Sequence, residues 1–286
     1  MNAKIDLHVH TNASDGKYAP AQLVQLAARN GLTLLAITDH DTVSGVVAAQ
    51  TAAQEFPTLK IIAGVEISSH EPGSEVHVLG YFIDIANAEF LKQMVALNDS
   101  RQDRAHAMVE KLHGLGLDIS LERVKQLAGD GSIGRPHIAQ ALMEKGYVSS
   151  FQEVFERYLG QGCPAYVERI KITPDEAVAI ILRSGGLPVL AHPTFISNAE
   201  PLIARLTACG LVGMECYYKD YTSELRDNLA ALAHRYNLIA TGGSDFHGIG
   251  DAAEVLLGEA GVPAECGANL IRTAREHGIK LQPYLD

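Results

Sequence analysis

Cysteine is scarce in this 286-residue chain. Only Cys163, Cys209, Cys216 and Cys266 occur, and no two form a Cys-x-x-Cys pair. A disulfide framework is not expected at this size, and the spacing supports no zinc finger. The four thiols are expected to be buried or inert. No apolar run reaches the roughly 18 residues of a membrane span. The N-terminus runs straight into a strand, without the basic and apolar regions of a signal peptide, so the cytoplasm is the expected location. Positive charge is also short: 23 Lys and Arg face 34 Asp and Glu, a net charge of −11. That balance argues against a broad basic surface for long duplex nucleic acid. A small anionic substrate remains compatible, because a metal centre can supply local positive charge. Internal repeats and low-complexity tracts are absent.

What is abundant is histidine, with twelve residues, and a hydrophobic fraction of 47%, ample for a core. Apolar periodicity and turn residues alternate strand with helix. Strands are expected at 5–10, 33–38, 60–67, 75–83, 187–192, 212–217 and 238–242. Helices are expected at 20–30, 44–55, 174–184, 200–209, 222–236 and 268–277. Between about 87 and 160 only helical patterns occur, at 91–115, 121–127, 136–145 and 151–158. Residues 98–163 are read as an inserted helical subdomain, with 1–97 and 164–286 forming the main domain. The insertion carries eight basic and nine acidic residues, nearly neutral, whereas each flank carries about −5. Alternating βα units predict a parallel sheet closed into a barrel. Seven strands point to a (β/α)7 rather than an eight-stranded barrel.

Chemistry-bearing residues recur at the strand ends. His8-Val9-His10 places two imidazoles on one strand face, and Asp15 returns from the following loop. Thr38-Asp39-His40-Asp41 closes the second strand. Glu66 lies in an apolar run, where a carboxylate needs a partner. His77 falls on the fourth strand, His192 ends the fifth, and Asp245-Phe246-His247 follows Thr241-Gly242-Gly243. In a barrel these ends meet at one rim, where active sites of such barrels lie. Nitrogen and oxygen ligands without sulfur suit manganese, iron or zinc. So many ligands exceed one ion's needs and suit two or three, with Glu66 as a bridge. Such a cleft would be positive and would attract phosphate.

These residues closely resemble the signature of the PHP (polymerase and histidinol phosphatase) family. The resemblance covers about 1–85 and 164–286. It implies a distorted (β/α)7 barrel and a metal set of His8, His10, Asp15, His40, Glu66, His77, His192, Asp245 and His247. It also implies two or three divalent ions, Mn2+ first and Fe2+ or Zn2+ as alternatives, and phosphoester hydrolysis. A water activated between the ions would attack phosphorus in line. Asp245 or His247 would move protons, and His192 or His247 would contact the leaving group.

The insertion between His77 and His192 resembles a narrower branch. That branch removes the 3′-phosphate from nucleoside 3′,5′-bisphosphates, such as adenosine 3′,5′-bisphosphate to AMP. Some members trim short RNA from its 5′ end. The expected partners are thus small nucleotides and short RNA, without membrane or long duplex; the oligomeric state is open. A second anion pocket is expected in the insertion. Asn98-Asp99-Ser100 offers a helix cap, with Arg101 and Arg104 in the turn that follows. Arg135, Pro136 and His137 make a second helix start, and Lys171 is a further candidate. Tyr217, Tyr218 and Tyr221 serve either base stacking or rim packing. Histidinol-phosphate phosphatase and 5′–3′ exoribonuclease are the competing enzyme readings. A non-catalytic metal- or nucleotide-binding module is the reading of another class; such degenerate copies should lose ligands, and this chain keeps the set.

Overall fold

Seven strands form a single sheet in sequence order in a computed structural model that describes residues 3–72, 74–129, 131–168, 172–249, 256–281 and 285. They are β1 (Lys4–Val9), β2 (Leu32–Ile37), β3 (Lys60–Glu71), β4 (Ser74–Tyr81), β5 (Leu187–Leu190), β6 (Gly213–Tyr218) and β7 (Ile239–Gly243). Helices α1 (Pro20–Arg29) and α2 (Ser44–Ala53) follow the first two strands. Helix α3 (Ala88–Gly114) leads into α4 (Leu121–Ala128), α5 (Arg135–Glu144) and α6 (Phe151–Val154), which continues as a π turn over Phe155–Leu159. Helices α7 (Pro174–Arg183), α8 (Ala199–Ala208), α9 (Ser223–Arg235) and α10 (Ala264–Glu276) complete the chain. All seven expected strands form. Helix starts follow local rules: Pro20 opens α1, and Thr173 and Glu176 form a capping box on α7.

The sheet is mixed, not parallel throughout. β1, β2 and β3 run parallel, as do β5, β6 and β7, but β4 is antiparallel to both its neighbours. The cause is the link between β3 and β4, only residues 72 and 73. A hairpin link of that length joins antiparallel strands; a parallel crossover needs a dozen or more residues. β3 therefore overshoots the rim, and β4 starts there and returns. His77 reaches the rim from the beginning of its strand, opposite Ser68.

The sheet nearly closes into a barrel at the same rim. Asp245 N–H donates to His8 O and His10 N–H to Phe246 O, each at 2.9 Å. Glycine permits this approach: a Cβ on Gly243 would lie 2.4 Å from His8 Cβ. One core cluster joins sheet residues such as Leu35, Ile37, Ile61, Val65 and Met214 to helix residues such as Leu23, Val178 and Ile203. Each such fully buried side chain contributes about 1.5–3 kcal/mol.

Helix α3 runs unbroken through the expected cap at Asn98-Asp99-Ser100. Its cap is Asn87, whose side chain accepts from Phe90 N–H at 3.0 Å. Arg101 and Arg104 consequently sit mid-helix, with no helix N-terminus beside them; instead Asn98 accepts from Ser132 Oγ. The first half of α3 packs on the sheet through Phe90, Met94 and Leu97. Its second half enters a separate apolar cluster through Ala105, Met108, Val109 and Leu112, with Val124, Ile138, Leu142 and Val154. Cys216 and Cys266 are buried, and burial pushes both thiols up to about 12. No described helix is long and apolar enough to cross a membrane.

Candidate metal centre and phosphoester cleft

The rim gathers imidazoles and carboxylates around Glu66. Its Oε1 lies 2.8 Å from His77 Nδ1 and 3.1 Å from His192 Nε2. Its Oε2 lies 3.0 Å from His40 Nδ1, 3.2 Å from His10 Nε2 and 3.3 Å from His8 Nε2. Asp245 Oδ1 lies 3.4 Å from His8 Nε2 and 3.2 Å from His10 Nε2. Asp15 Oδ1 lies 3.3 Å from His247 Nε2, and Oδ2 lies 3.9 Å from His40 Nε2.

Supporting residues set these positions. Asp39 folds the loop after β1: its carboxylate accepts from Thr11 N–H, Thr11 Oγ1 and Ser14 Oγ, each at 2.7 Å. That loop swings Asp15 back over His10. Buried Glu215 accepts from His8 Nδ1 at 3.1 Å and from His192 N–H at 2.8 Å. The first contact fixes the ring's orientation and turns Nε2 toward Glu66. His247 is fixed similarly, with Nδ1 donating to Asp245 O at 2.9 Å. Asp245 Oδ2 accepts from Tyr218 OH at 2.6 Å and Lys219 Nζ at 3.3 Å. Asp41, His192 and Asp245 have φ of 54°, 26° and 50°. Left-handed backbone at non-glycine residues is strained and clusters at functional sites.

This donor set fits divalent cations. Eight of the nine expected ligands fall into three overlapping groups: His10, Asp15, His40, His247; His8, His10, Glu66, Asp245; and His40, Glu66, His77. His192 stands beside them against Glu66. Five imidazole nitrogens crowd one carboxylate that offers about four lone-pair sites. His8 Nε2 and His10 Nε2 face each other at 3.3 Å, and Asp15 Oδ1 is buried without a hydrogen bond. Cations between these atoms would satisfy all of them. Burial opposes ionisation, yet the surrounding histidines hold Asp15, Glu66 and Asp245 well below the usual carboxylate range. Burial also opposes charge on His8 and His10, but the facing carboxylates prevail: His8 is raised well above its usual value and His10 is pushed up to about 10.

A cavity of about 970 Å³ opens over this cluster, with Glu66, His77, His192, Asp245 and His247 on one side. Helices α3 and α5 and the π turn supply the other wall, including Arg101, Arg104, Arg135 and Phe155. Arg101 Nε donates to Asp41 Oδ2 at 2.5 Å and Nη2 to Ser68 Oγ at 2.6 Å. Arg104 Nε donates to Val167 O at 2.8 Å and Nη1 to Glu75 Oε1 at 3.1 Å. Arg135 Nη2 donates to Glu75 Oε2 at 2.6 Å. Pro136 lines the cavity as well. His137 does not: its Nδ1 accepts from Gly134 N–H at 3.0 Å, capping α5, and it lines a neighbouring chamber. Lys171 lies outside the described residues. Tyr218 holds Asp245, Tyr221 pairs with Thr194 Oγ1 at 2.7 Å, and Tyr217 is half-buried beside the core.

Sequence reasoning missed Glu215, Glu75 and Lys219. Glu215 carries the signal that exposed Glu66, a lone carboxylate in a buried strand. Glu75 lies two residues before His77, on the same strand face. Lys219 had no pattern to mark it.

Known proteins resemble this chain over most of its length. The profile of the PHP domain matches residues 6–161. A 5′-3′ exoribonuclease Rnm of Escherichia coli K12 is 36% identical over 247 residues, 85% of this chain and 84% of that protein. A 3′,5′-nucleoside bisphosphate phosphatase of Chromobacterium violaceum is 31% identical over 269 residues, 92% of this chain and 94% of that protein. A crystal structure from Bifidobacterium adolescentis, named as an inferred metal-dependent phosphoesterase, superposes with a TM-score of 0.86 at 30% identity and covers 98% of both chains. With a match over more than half its length and relatives that are phosphoester hydrolases, this chain belongs to the PHP domain family.

Proposed function

We propose that this chain hydrolyses the phosphoester on the 3′-oxygen of a nucleotide that carries a 5′-phosphate. Nucleoside 3′,5′-bisphosphates are the substrates, with adenosine 3′,5′-bisphosphate giving AMP and phosphate. The observation that carries the reading is one cleft lined by both the histidine–carboxylate cluster and the arginines of the insertion. Residues 98–163 act as the specificity subdomain, and Arg101, Arg104, Arg135 and Pro136 face the 5′-phosphate. His137 supports the pocket through Gly134.

His8, His10, Asp15, His40, Glu66, His77, His192, Asp245 and His247 would hold two or three divalent ions, manganese first. Bound there, such ions supply Lewis-acid charge and an activated water. Glu215 keeps His8 Nε2 directed inward. Tyr218 and Lys219 hold the outer oxygen of Asp245, so its inner oxygen stays on the cluster. His192, on the cleft wall, faces the departing 3′-oxygen, and Asp245 and His247 handle protons at the rim.

A second reading, trimming of short 5′-phosphorylated RNA, breaks the same P–O3′ bond. One observation favours it. The cleft is at the top of the roughly 300–1,000 Å³ range of ligand pockets. Past Asp15, Pro136, Phe151 and Ile249 it adjoins a second chamber of about 620 Å³, giving room beyond the cluster.

Phosphate release and RNA shortening should be measured on a bisphosphate, a 5′-phosphorylated RNA series, histidinol phosphate and an aryl phosphate. The reading expects Arg135→Ala to raise KM for the bisphosphate by tenfold or more, with the aryl phosphate little changed. Equal effects on both would remove the clamp, and preference for histidinol phosphate would replace the substrate.

A further inference from the structure

The cleft wall contains a group that an anion pocket should not need. Glu75 places one carboxylate oxygen on each of two guanidiniums, Oε1 on Arg104 Nη1 at 3.1 Å and Oε2 on Arg135 Nη2 at 2.6 Å. Glu75 itself lines the cleft. A phosphate held by these arginines would use the same N–H groups, since guanidinium forks bind carboxylate and phosphate in the same way.

Each arginine has a contact besides Glu75. Arg104 is held by Val167 O through Nε and lies over the Tyr166 ring at 5.4 Å. Arg135 lies over the Phe155 ring at 5.4 Å. A further donor, Arg104 Nη2, is buried and has no hydrogen-bond partner. A buried donor left unpaired costs about 1–3 kcal/mol. Arg104 thus keeps one unmet donor beside the Nη1 that Glu75 occupies.

We propose that Glu75 is a resident anion that competes with the 5′-phosphate of nucleotides for Arg104 and Arg135, and so weakens the hold on the nucleoside 5′-monophosphate product. The inference rests on the reading that these arginines face the 5′-phosphate. Its physical use is turnover. A clamp that grips substrate and product alike gives uniform binding, which lowers KM without raising kcat. A built-in competitor limits that grip while leaving both arginines charged and near their working positions.

The test is calorimetric titration of AMP into the metal-loaded protein, comparing the wild-type chain with Glu75→Gln and Arg135→Ala. The proposal expects Glu75→Gln to bind AMP at least tenfold more tightly and Arg135→Ala at least tenfold more weakly. If Arg135→Ala weakens AMP but Glu75→Gln leaves it unchanged or weaker, Glu75 positions the arginines and the competitor idea is overturned. If Arg135→Ala has no effect, the 5′-phosphate reading itself falls, and the proposal with it. A crystal structure of the wild-type chain with AMP requires no variant. Transfer of Arg135 Nη2 from Glu75 to the 5′-phosphate supports the competition. A phosphate bound in the pocket with the 2.6 Å Glu75–Arg135 contact intact contradicts it.

Discussion

Glu215→Gln is the most discriminating perturbation of the centre, because it changes one charge and almost no volume. Both protein partners of Glu215 are donors, His8 Nδ1 at 3.1 Å and His192 N–H at 2.8 Å. A carboxylate accepts both; a carboxamide offers one oxygen and one NH2 group. If the amide oxygen stays with His192, the NH2 faces His8 Nδ1. His8 must then carry its proton on Nε2, the nitrogen that points at Glu66 and His10. If the oxygen serves His8 instead, the His192 N–H faces a second donor. Glu215 is 0% exposed, so water cannot repair either mismatch. One unpaired buried donor costs about 1–3 kcal/mol. Loss of an outer partner to a metal-bound histidine costs about 10–100-fold in metal affinity, roughly 1.4–2.7 kcal/mol. Titration of Mn2+ into the metal-free variant should show a loss in that range, with the far-UV spectrum unchanged. Wild-type metal affinity in a folded Glu215→Gln protein would refute the reasoning.

Two further outcomes follow from the same structure. Leu112 is fully buried in the apolar cluster that α3 shares with α4, α5 and α6. Leu112→Ala should lower stability by about 2–5 kcal/mol and raise KM for the bisphosphate while metal content stays at the wild-type value; lost metal would tie that cluster to the centre. In the metal-free protein, His8 is raised well above and His10 to about 10 from an ordinary value near 6.5. A raised folded value stabilises fully below the unfolded value and is lost as pH rises through the folded one. Thermal melts of metal-free protein should therefore fall between about pH 6.5 and 10. Mn2+ binding at pH 7 should release at least one proton, read from titrations in buffers of different ionisation heat. A flat melting profile with no proton release would mean that the two imidazoles are neutral before metal arrives.

The seven strands and the residue types that meet at the rim are legible in the sequence for a physical reason. A half-buried strand alternates its faces, so His8 and His10 declare a shared side, and a carboxylate such as Glu66 inside an apolar run declares a partner. The direction of β4 is hidden because the strand pattern stops at 67 and resumes at 75, whereas β3 and β4 extend through most of that gap. The two-residue link at 72–73 was the available signal. The cap at Asn98 failed because polar residues inside a helix look like a start when the flanking turns are not weighed. Asn87 supplied the real one. Glu75 and Glu215 were missed because their roles depend on partners 60 residues away for Arg135 and 207 for His8. The local signs, Glu215 inside an apolar strand and Glu75 beside His77, do not reveal those partners.

A rim cluster that works as a multi-metal phosphoester-hydrolysing centre must lose its activity with its metal. The most direct measurement is metal content together with phosphate release from adenosine 3′,5′-bisphosphate, before and after chelation, for the wild-type chain and Asp245→Asn. Two or three divalent ions per chain are expected. Release should stop on chelation and return with Mn2+, and the folded variant should lose at least a hundredfold in kcat/KM. Undiminished release from the stripped protein, or wild-type release from Asp245→Asn, would contradict it.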